Sequence, residues 1–318
     1  MALFLRESDI EKILTMRDAM RLVEHALRDF GNGAAQNQPR QRVRAPQGVL
    51  HVMPAGWFAR GYVGFKAYTS FRGETRFYFH LFDANTGAYL AVMEANRLGQ
   101  MRTGAASGVA TKLLARRDAK SIGIIGTGWQ AESQLQAVFA ARTFEHVKCF
   151  SRDETHRTQF AEKMSALLDV TVEPVASARD AVVESDVVIA ITTAAQPVVQ
   201  GEWLKQGAHV NAAGGNWAAR REVDTETVKR ASAIFADSVE QTKLEAGDLI
   251  LAVSENAIGW HQVQELSALV SGRATGRAND DDITLFKSCG IALEDVAVGS
   301  FVYERAREQG IGDILPFV

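Results

Sequence analysis

The spacing of hydrophobic residues along the first 94 positions predicts one helix followed by a sheet. Apolar residues recur at roughly helical spacing over 10–30, and Ser8 is placed to cap a single helix there. Glycines, asparagines and a proline over 31–39 predict a loop. Short strand-like runs fill 40–94, with a hairpin turn at 83–87, so this region predicts a helix packed on an antiparallel sheet.

The pattern changes after a predicted helix over 104–115. Strand-like runs now alternate with helical ones: "SIGIIG", "AESQLQAVFAAR", "HVKCFSR", "ETHRTQFAEKMSALL", "DVVIAITT", "GAHVNAAG" and "ASAIFADS". Such alternation is typical of a parallel sheet covered on both faces. A last helix is predicted over 293–310, packed back on the first domain. The fold class is therefore α/β, with a Rossmann doubly wound parallel sheet and a separate α+β domain.

Composition and charge exclude several classes of function. The 318 residues are 47% apolar and 23% charged with a net charge of −3, which favours neither nucleic acid nor a membrane surface as partner. The two cysteines, Cys149 and Cys289, lie in apolar segments, so we expect core residues and no metal site. No apolar run is long enough to span a membrane. The N-terminus lacks a basic segment and a cleavage signal, so a cytoplasmic location is expected.

The segment "GIIGTGWQA" at 123–131 is the strongest chemical signal, because it ends an apolar strand and opens a helix. Gly126 allows a tight turn, Gly128 lets the backbone approach a pyrophosphate, and Ala131 lets helix and strand pack closely. The helix N-terminus offers free N–H groups to phosphates. We predict NAD or NADP binding, with no metal, through the loop residues Gly126, Thr127, Gly128, Trp129 and Gln130. The alternative is a glycine turn in another doubly wound fold.

The end of the next strand decides which dinucleotide binds. A carboxylate there suits the ribose hydroxyl of NAD, whereas an arginine suits the 2′-phosphate of NADP. Ser151 and Arg152 favour NADP, but Asp153 follows at once. The sequence leaves the choice open, and all three could be solvated loop residues.

Three cations in the first domain are candidates for binding an α-carboxylate. Arg40 opens the first strand region, Lys66 lies in "GFKAYT" and Arg102 sits just before the predicted helix over 104–115. Arginine binds carboxylates bidentately, and apolar neighbours around Lys66 would lower its pKa and suit it to proton transfer. The alternative is that each is a surface cation with a partly buried stem.

The whole chain resembles the ornithine cyclodeaminase/mu-crystallin family. The pieces that carry the resemblance occur in family order: "PRQRVRAPQGVLHVMPA", "GFKAYTS", "MRTGAASGVATKLLAR", "GIIGTGWQA", "HVNAAGGN", "FADS" and "LFKSCGIALED". The resemblance implies a homodimer, a substrate-binding and dimerisation domain over 1–115 with 294–318, and an NAD(P)-binding Rossmann domain over 116–293. Family activities include ornithine cyclodeamination and NAD(P)H-dependent reduction of imines of α-keto acids.

The resemblance also assigns roles to residues. It implies that Arg40 and Arg102 bind the substrate carboxylate, that Lys66 is catalytic, and that Asp295 orients its segment. Further residues are implied to lie at the cofactor, most of them at strand ends: Thr192, Thr193, Asn211, Asp237, Ser238, Lys287 and Gly290.

Two positions depart from the cyclodeaminase pattern. Asn216 stands where cyclodeaminases have an aspartate, and His51 stands where they have a glutamate. Asparagine cannot accept a proton, and a cationic His51 would suit a second carboxylate. We therefore predict that both contact substrate and that the enzyme reduces an imino acid, with iminosuccinate giving aspartate as the best candidate. Alternatives are Δ1-pyrroline-2-carboxylate or iminopyruvate as substrate, ornithine cyclodeamination, and a non-catalytic binder of NADPH and a small ligand.

Overall fold

The structure is a computed structural model that describes residues 2–316 of the chain. Its N-terminal elements are β1 (Ala2–Leu5), α1 (Glu7–Ile13), α2 (Met16–Gly31), β2 (Gln36–Asn37), β3 (Gln41–Ala45), β4 (Gly48–Trp57), β5 (Tyr62–Phe71), β6 (Glu74–Asp83), β7 (Tyr89–Glu94) and α3 (Asn96–Leu114). The elements that follow are β8 (Ser121–Ile125), α4 (Trp129–Ala141), β9 (His146–Phe150), α5 (Glu154–Leu168), β10 (Val172–Pro174), α6 (Ala178–Val182), β11 (Val187–Ala190), β12 (His209–Ala212), α7 (Thr225–Arg230), β13 (Ala231–Ala236), α8 (Val239–Glu245), α9 (Gly247–Ser254), β14 (Val263–Glu265), α10 (Leu266–Val270), β15 (Ile283–Lys287), α11 (Ala292–Gln309) and β16 (Asp313–Leu315).

The chain divides into two compact units. One contains the residues up to Arg102 together with those from Gly290 onward, and the other is Thr103–Cys289. The domain limits expected from sequence lie between residues 115 and 116 and between residues 293 and 294. The observed limits lie between residues 102 and 103 and between residues 289 and 290. The first limit differs because α3 is one continuous helix that starts eight residues before the predicted 104–115 segment and passes from one unit into the other.

The first unit is built on an eight-stranded sheet. Its order is β16-β1-β7-β6-β5-β4-β2, with β3 also paired to β4, and the pairs are antiparallel except β1 with β7. Alternate residues of the central strands are buried, among them Met53, Lys66 and Phe79, and α11 packs on this face. The last helix, expected in the first domain, lies in the same compact unit as this sheet.

The N-terminal helix predicted over 10–30 is two helices instead. Thr15 starts α2, because its hydroxyl accepts a hydrogen bond from the Asp18 backbone N–H at 3.2 Å and caps that helix. Ser8 lies inside α1 and caps nothing. The turn predicted at 83–87 is confirmed: the Asp83 carboxylate accepts the backbone N–H groups of Asn85 and Thr86.

The second unit contains an eight-stranded sheet of order β10-β9-β8-β11-β12-β15-β13-β14, parallel throughout. Successive residues of β11 enter two different hydrophobic clusters: Val187 and Ile189 pack in one, Val188 and Ala190 in the other. Both faces of the sheet are therefore covered, and the predicted doubly wound sheet is confirmed. The sequence pattern missed β10 and β14, each only three residues long, and β15, which carries polar residues.

Within residues 2–316, no helix combines the length and apolar character that crossing a bilayer demands. The same part of the chain holds no group of three or more histidine, cysteine, aspartate or glutamate side chains arranged around a metal position.

Candidate functional site

The glycine loop after β8 has the geometry of an anion-binding turn. Gly126 has φ +103°, and a Cβ there would lie 2.1 Å from the Ile191 carbonyl oxygen, so this position requires glycine. Gly128 is exposed, and a Cβ there would meet no atom within 4 Å. Gly128 precedes α4 and provides no side-chain cap, so no side chain of this loop occupies the N-terminus of that helix. The loop and helix start fit a pyrophosphate.

The other predicted residues of the loop differ in exposure. Thr127 is half-buried and its hydroxyl donates to Ser151 Oγ at 2.8 Å, which ties the loop to the end of β9. Trp129 is 47% exposed at the start of α4, and Gln130 is half-buried. Ala131 is fully buried in the cluster beneath the helix, as the expected close packing requires.

At the end of β9 the structure shows which charged side chains are already hydrogen-bonded within the protein. Asp153 caps α5, with its carboxylate accepting the His156 backbone N–H at 2.8 Å, and this bond lowers the pKa of Asp153. Arg152 is exposed and makes no hydrogen bond or ion pair with the described residues. Arg157 is committed to the Ser151 carbonyl oxygen at 2.8 Å. Of the charged side chains at this strand end, Arg152 is therefore the one that is available to a ligand.

Two predicted cofactor residues are instead turned into the protein. The Asn211 side chain is fully buried, donates to Thr111 Oγ1 at 2.9 Å and faces His209 Nε2 at 3.2 Å. Asp237 is also fully buried, and it accepts the Ser238 and Cys289 backbone N–H groups and the Ser288 hydroxyl. Both side chains hold strand ends in place, and a direct contact of either one with the cofactor stays a prediction.

Lys287 likewise bonds within the protein, and its contact with the cofactor stays a prediction. Its ammonium is fully buried, 2.7 Å from Asp248 Oδ2 and 2.7 Å from the Gly215 carbonyl oxygen. Thr192 gives its N–H and hydroxyl to Glu222, while Thr193 is exposed. Sequence reasoning missed Glu222 and Asp248, since neither lies in a strand or glycine motif. Asp248 stands among apolar neighbours, but Glu222 lies in a charged stretch and has no such local sign.

Ser238 lies at the N-terminus of α8 and caps it by accepting the Gln241 N–H at 3.3 Å. Gly290 has φ +73°, and its carbonyl oxygen accepts a hydrogen bond from Arg40 Nη2 at 3.2 Å. A Cβ on Gly290 would lie 2.3 Å from Arg102 Nη1, so glycine is needed there for the close approach of that guanidinium. Gly290 therefore belongs with the cationic cluster of the first unit.

In that cationic cluster Lys66 and Arg102 pair with two buried carboxylates, and Arg40 lies close enough for its charge to act on Lys66. Asp295 Oδ1, in the first turn of α11, accepts from Lys66 Nζ at 3.3 Å and from Arg102 Nε at 3.1 Å. Glu294 Oε2 accepts from Arg102 Nη1 at 2.9 Å. All five side chains are at least nine-tenths buried. Three cations against two carboxylates leave one positive charge, so the cluster favours an anionic ligand.

Lys66 has the environment of a proton donor. Its Nζ lies 4.9 Å from the centre of the Phe77 ring, and Gly99 of α3 leaves it room, since a Cβ there would be 2.8 Å away. Burial lowers the pKa of Lys66 to about 8; the charges of Arg102 and Arg40 act in the same direction, and Asp295 opposes them. A lysine with a pKa this close to neutrality exchanges its proton readily.

The predicted substrate contacts that depart from the family pattern are also described. His51 is buried and stacks on Tyr68 at 4.1 Å between ring centres. Burial, with the charges of Arg42, Arg40 and Arg44, lowers the pKa of His51 to about 4. The expectation of a cationic His51 is therefore corrected: the ring is neutral near pH 7 and retains one N–H donor. Asn216 is half-buried in the turn after β12.

Known proteins are similar to this chain over nearly its whole length. The profile of the ornithine cyclodeaminase/mu-crystallin family matches residues 1–310. The Δ1-pyrroline-2-carboxylate reductase of Thermococcus litoralis, solved with NADH and L-proline, is 38% identical, with TM-score 0.94 over 98% of this chain and 100% of that chain. An archaeal alanine dehydrogenase dimer with bound NAD is 34% identical, with TM-score 0.94 over 99% of both chains. The iminosuccinate reductase of Paracoccus denitrificans, solved with NAD+, is 28% identical, with TM-score 0.94 over 99% of both.

Proposed function

The chain belongs to the ornithine cyclodeaminase/mu-crystallin family, and from that premise we propose that it is an NAD(P)H-dependent oxidoreductase that reduces an imino acid to an amino acid. The observation that carries the proposal is the buried cluster in which Lys66 and Arg102 share Asp295 and Arg40 donates to the Gly290 carbonyl oxygen. The cluster supplies both a carboxylate-binding surface and a proton donor of suitable pKa. The related reductases and the dehydrogenase act at carbon–nitrogen bonds, which supports the same chemistry here.

The cofactor residues fit a reduced dinucleotide. Gly126, Gly128 and the N-terminus of α4 would hold the pyrophosphate, and the Thr127–Ser151 pair would border the ribose. When bound, the nicotinamide supplies a hydride to the imine carbon. Because Arg152 is uncommitted while Asp153 caps α5, we propose NADP(H) as the preferred form.

The residues of the cluster divide the remaining work. Arg40 and Arg102 hold the α-carboxylate in the ground and transition states alike. With a pKa of about 8, Lys66 is about nine-tenths protonated at pH 7, and the arriving anion increases that fraction. The Lys66 ammonium gives its proton to the imine nitrogen as the imine carbon accepts the hydride. The neutral Lys66 side chain then takes a proton from water. Asp295 holds the lysine in place and keeps its pKa from falling further.

For the substrate we propose an imino acid with a second carboxylate, iminosuccinate giving aspartate. Arg42 is paired opposite His51 in the β3–β4 register, and Arg42, Arg40 and Arg44 all add positive potential at that histidine. This supports an anionic side chain near His51, which would donate a neutral hydrogen bond. Asn216 has no proton-accepting carboxylate, which disfavours ornithine cyclodeamination. Δ1-pyrroline-2-carboxylate and iminopyruvate are the competing substrates.

We also propose a homodimer formed through the open face of the first unit's sheet. That face carries apolar residues that no described element covers fully: Leu50, Val63, Phe65, Tyr78 and Phe82. A recess of about 380 Å³ lies on it, lined by Pro54, Phe58, Val63, Phe65 and Phe82 among others. An apolar surface of this kind marks a protein interface. The related alanine dehydrogenase is a dimer, which supports a second copy as the partner.

The dimer predicts that Phe65→Glu yields a monomer in sedimentation equilibrium at micromolar concentration, because a charge would be buried in the interface. Leu167→Glu, at an exposed apolar position of α5 in the other unit, is the control and should remain dimeric. A monomeric parent protein would contradict the assembly.

Gly128→Trp should abolish binding of NADH and NADPH while the protein stays folded. The position is open, so the side chain fits beside the protein but occupies the space of the pyrophosphate, and the loss of the glycine cap costs only about 1 kcal/mol. Cofactor fluorescence titration measures binding and circular dichroism confirms the fold. Gly126→Ala is the contrasting variant and should unfold, since its Cβ meets the Ile191 carbonyl. Unchanged titration curves in folded Gly128→Trp would overturn the assignment of the loop.

Arg152→Ala should weaken NADPH binding by about 1.5–3 kcal/mol, the usual range for a charge-assisted bond, and leave NADH binding within a few-fold. Arg117→Ala, at another exposed arginine of the same unit, is the control and should change neither affinity. Isothermal titration with both cofactors makes the comparison. Equal losses for the two cofactors would show that Arg152 does not contact the 2′-phosphate.

Lys66→Met should lower kcat about 10²- to 10⁴-fold with cofactor affinity unchanged, whereas Arg102→Met should chiefly raise KM. Lys229→Met, an exposed lysine, is the control. Oxaloacetate plus ammonia is the test substrate, beside pyruvate, glyoxylate and ornithine. The ammonium form of Lys66 is the active one, so kcat/KM should fall as pH rises through about 8, and Asp295→Asn should move that fall to lower pH.

Two outcomes would contradict this scheme. If Lys66→Met keeps kcat within a few-fold of the parent, the proton comes from water or His51. If the parent converts ornithine to proline rapidly, the reductase proposal fails. A preference for pyruvate over oxaloacetate would leave the reductase in place but exclude the dicarboxylic substrate.

A further inference from the structure

Three ionisable side chains in the second unit lie buried together without contributing to the glycine loop. Glu222 and Lys287 are fully buried and Asp248 is 1% exposed. Buried charges are costly to desolvate, so an ion pair of this kind is weak evidence for stability alone. Their hydrogen bonds show which groups these charges hold.

Glu222 holds two strand ends at once. Its Oε1 accepts the backbone N–H and the hydroxyl of Thr192, which follows β11. Its Oε2 accepts the N–H groups of Gly214 and Gly215, at 2.6 and 3.0 Å, in the turn that follows β12. Four donors converge on one carboxylate, which no apolar or singly accepting side chain could satisfy.

Asp248 and Lys287 fix the same turn from the other side. Asp248 Oδ1 accepts the backbone N–H groups of Glu222 and Val223, at 2.6 and 3.0 Å. Asp248 Oδ2 pairs with Lys287 Nζ, which also donates to the Gly215 carbonyl oxygen at 2.7 Å. Both backbone groups of Gly215 are therefore held by buried charges, and Asn216 is the next residue.

Close packing supports the same conclusion. A Cβ on Gly214 would lie 2.4 Å from both the backbone nitrogen and the carbonyl oxygen of Thr192, so the turn is pressed against the end of β11. Burial lowers the pKa of Lys287, but the carboxylates of Asp248 and Glu222 outweigh it and raise the pKa above the usual lysine value. The ammonium therefore stays charged and keeps its hold on Gly215.

We propose that Glu222, Asp248 and Lys287 form a positioning network that fixes Thr192 and the Gly214–Asn216 turn at the carboxyl ends of β11 and β12. In open parallel sheets ligands lie at these strand ends. The network sets where Asn216 meets the reacting substrate, an inference that rests on the proposed reductase function. All three side chains are buried, and they act through the backbone groups that they hold.

The test uses two variants, neither of which leaves one member of the Asp248–Lys287 ion pair without the other. Glu222→Gln replaces two of the four accepting sites by donors. The double variant Lys287→Met/Asp248→Asn removes both charges of the pair, while the new amide oxygen can still accept the N–H groups of Glu222 and Val223. Lys287→Met alone should be less stable than the double variant, because it strands Asp248. We expect stability to recover in the double variant but kcat/KM to stay at least tenfold below the parent, because the Gly215 carbonyl oxygen loses the Lys287 ammonium that holds it.

Asp186→Asn is the matched control. Asp186 is 6% exposed, pairs with Lys205 at 2.8 Å and accepts the N–H groups of Lys120 and Ser121 at the amino ends of β8 and β11. Its loss should lower the free energy of unfolding without changing kcat/KM. Hydrogen exchange at the peptide over 208–224 adds a readout that needs no activity: exchange of the Gly214 and Gly215 amides should accelerate at least tenfold in both network variants and not in the control.

Three results would overturn the proposal: kcat/KM in the double variant within two-fold of the parent, exchange over 208–224 unchanged in folded network variants, or equal activity losses in Asp186→Asn at matched stability. If the parent reduces no imino acid, the exchange measurement still decides whether the network holds the turn. Failure of the reductase function is thereby distinguished from failure of this inference.

Discussion

Lys66 and Arg102 share a single buried oxygen, Asp295 Oδ1, and the charge of the whole cluster depends on that arrangement. Without the carboxylate, burial and two neighbouring guanidinium groups would drive the lysine further towards its neutral form. With it, the pKa remains near 8, where the lysine is charged at neutral pH yet gives up its proton easily. One helix start, the first turn of α11, therefore sets both the location and the acidity of the proposed proton donor.

The same physical constraint appears in the second unit in another form. There the buried carboxylates of Glu222 and Asp248 accept mainly backbone N–H groups, and the buried Lys287 donates to a backbone carbonyl oxygen. In the first unit the buried charges bind one another and leave an excess of positive charge for a ligand. Buried ions thus serve two distinct purposes in this chain: one set is arranged for chemistry, and the other holds polypeptide that has no regular secondary structure.

Local patterns allowed much of the fold to be predicted. The alternation of strands and helices predicted the parallel sheet, and the Gly126–Ala131 spacing predicted a turn whose φ of +103° and tight contact with Ile191 require glycine. These features depend on residues close together in sequence. The division of the first helix at Thr15 was missed because the apolar spacing continues across the break, whereas a single side-chain cap starts the second helix.

The candidate site depends on contacts that no local pattern contains. Lys66 and Asp295 are 229 positions apart, so the sequence predicted the lysine's apolar surroundings but not the carboxylate that tunes it. His51 shows the same limit in reverse: its type suggested a cation, whereas burial and three arginines of one short segment make it neutral. The pKa of a titratable side chain depends on its burial and on the charges around it, and the fold brings those charges together. Residue types at motif positions therefore predict which groups are present, and the folded packing decides which of them carry charge.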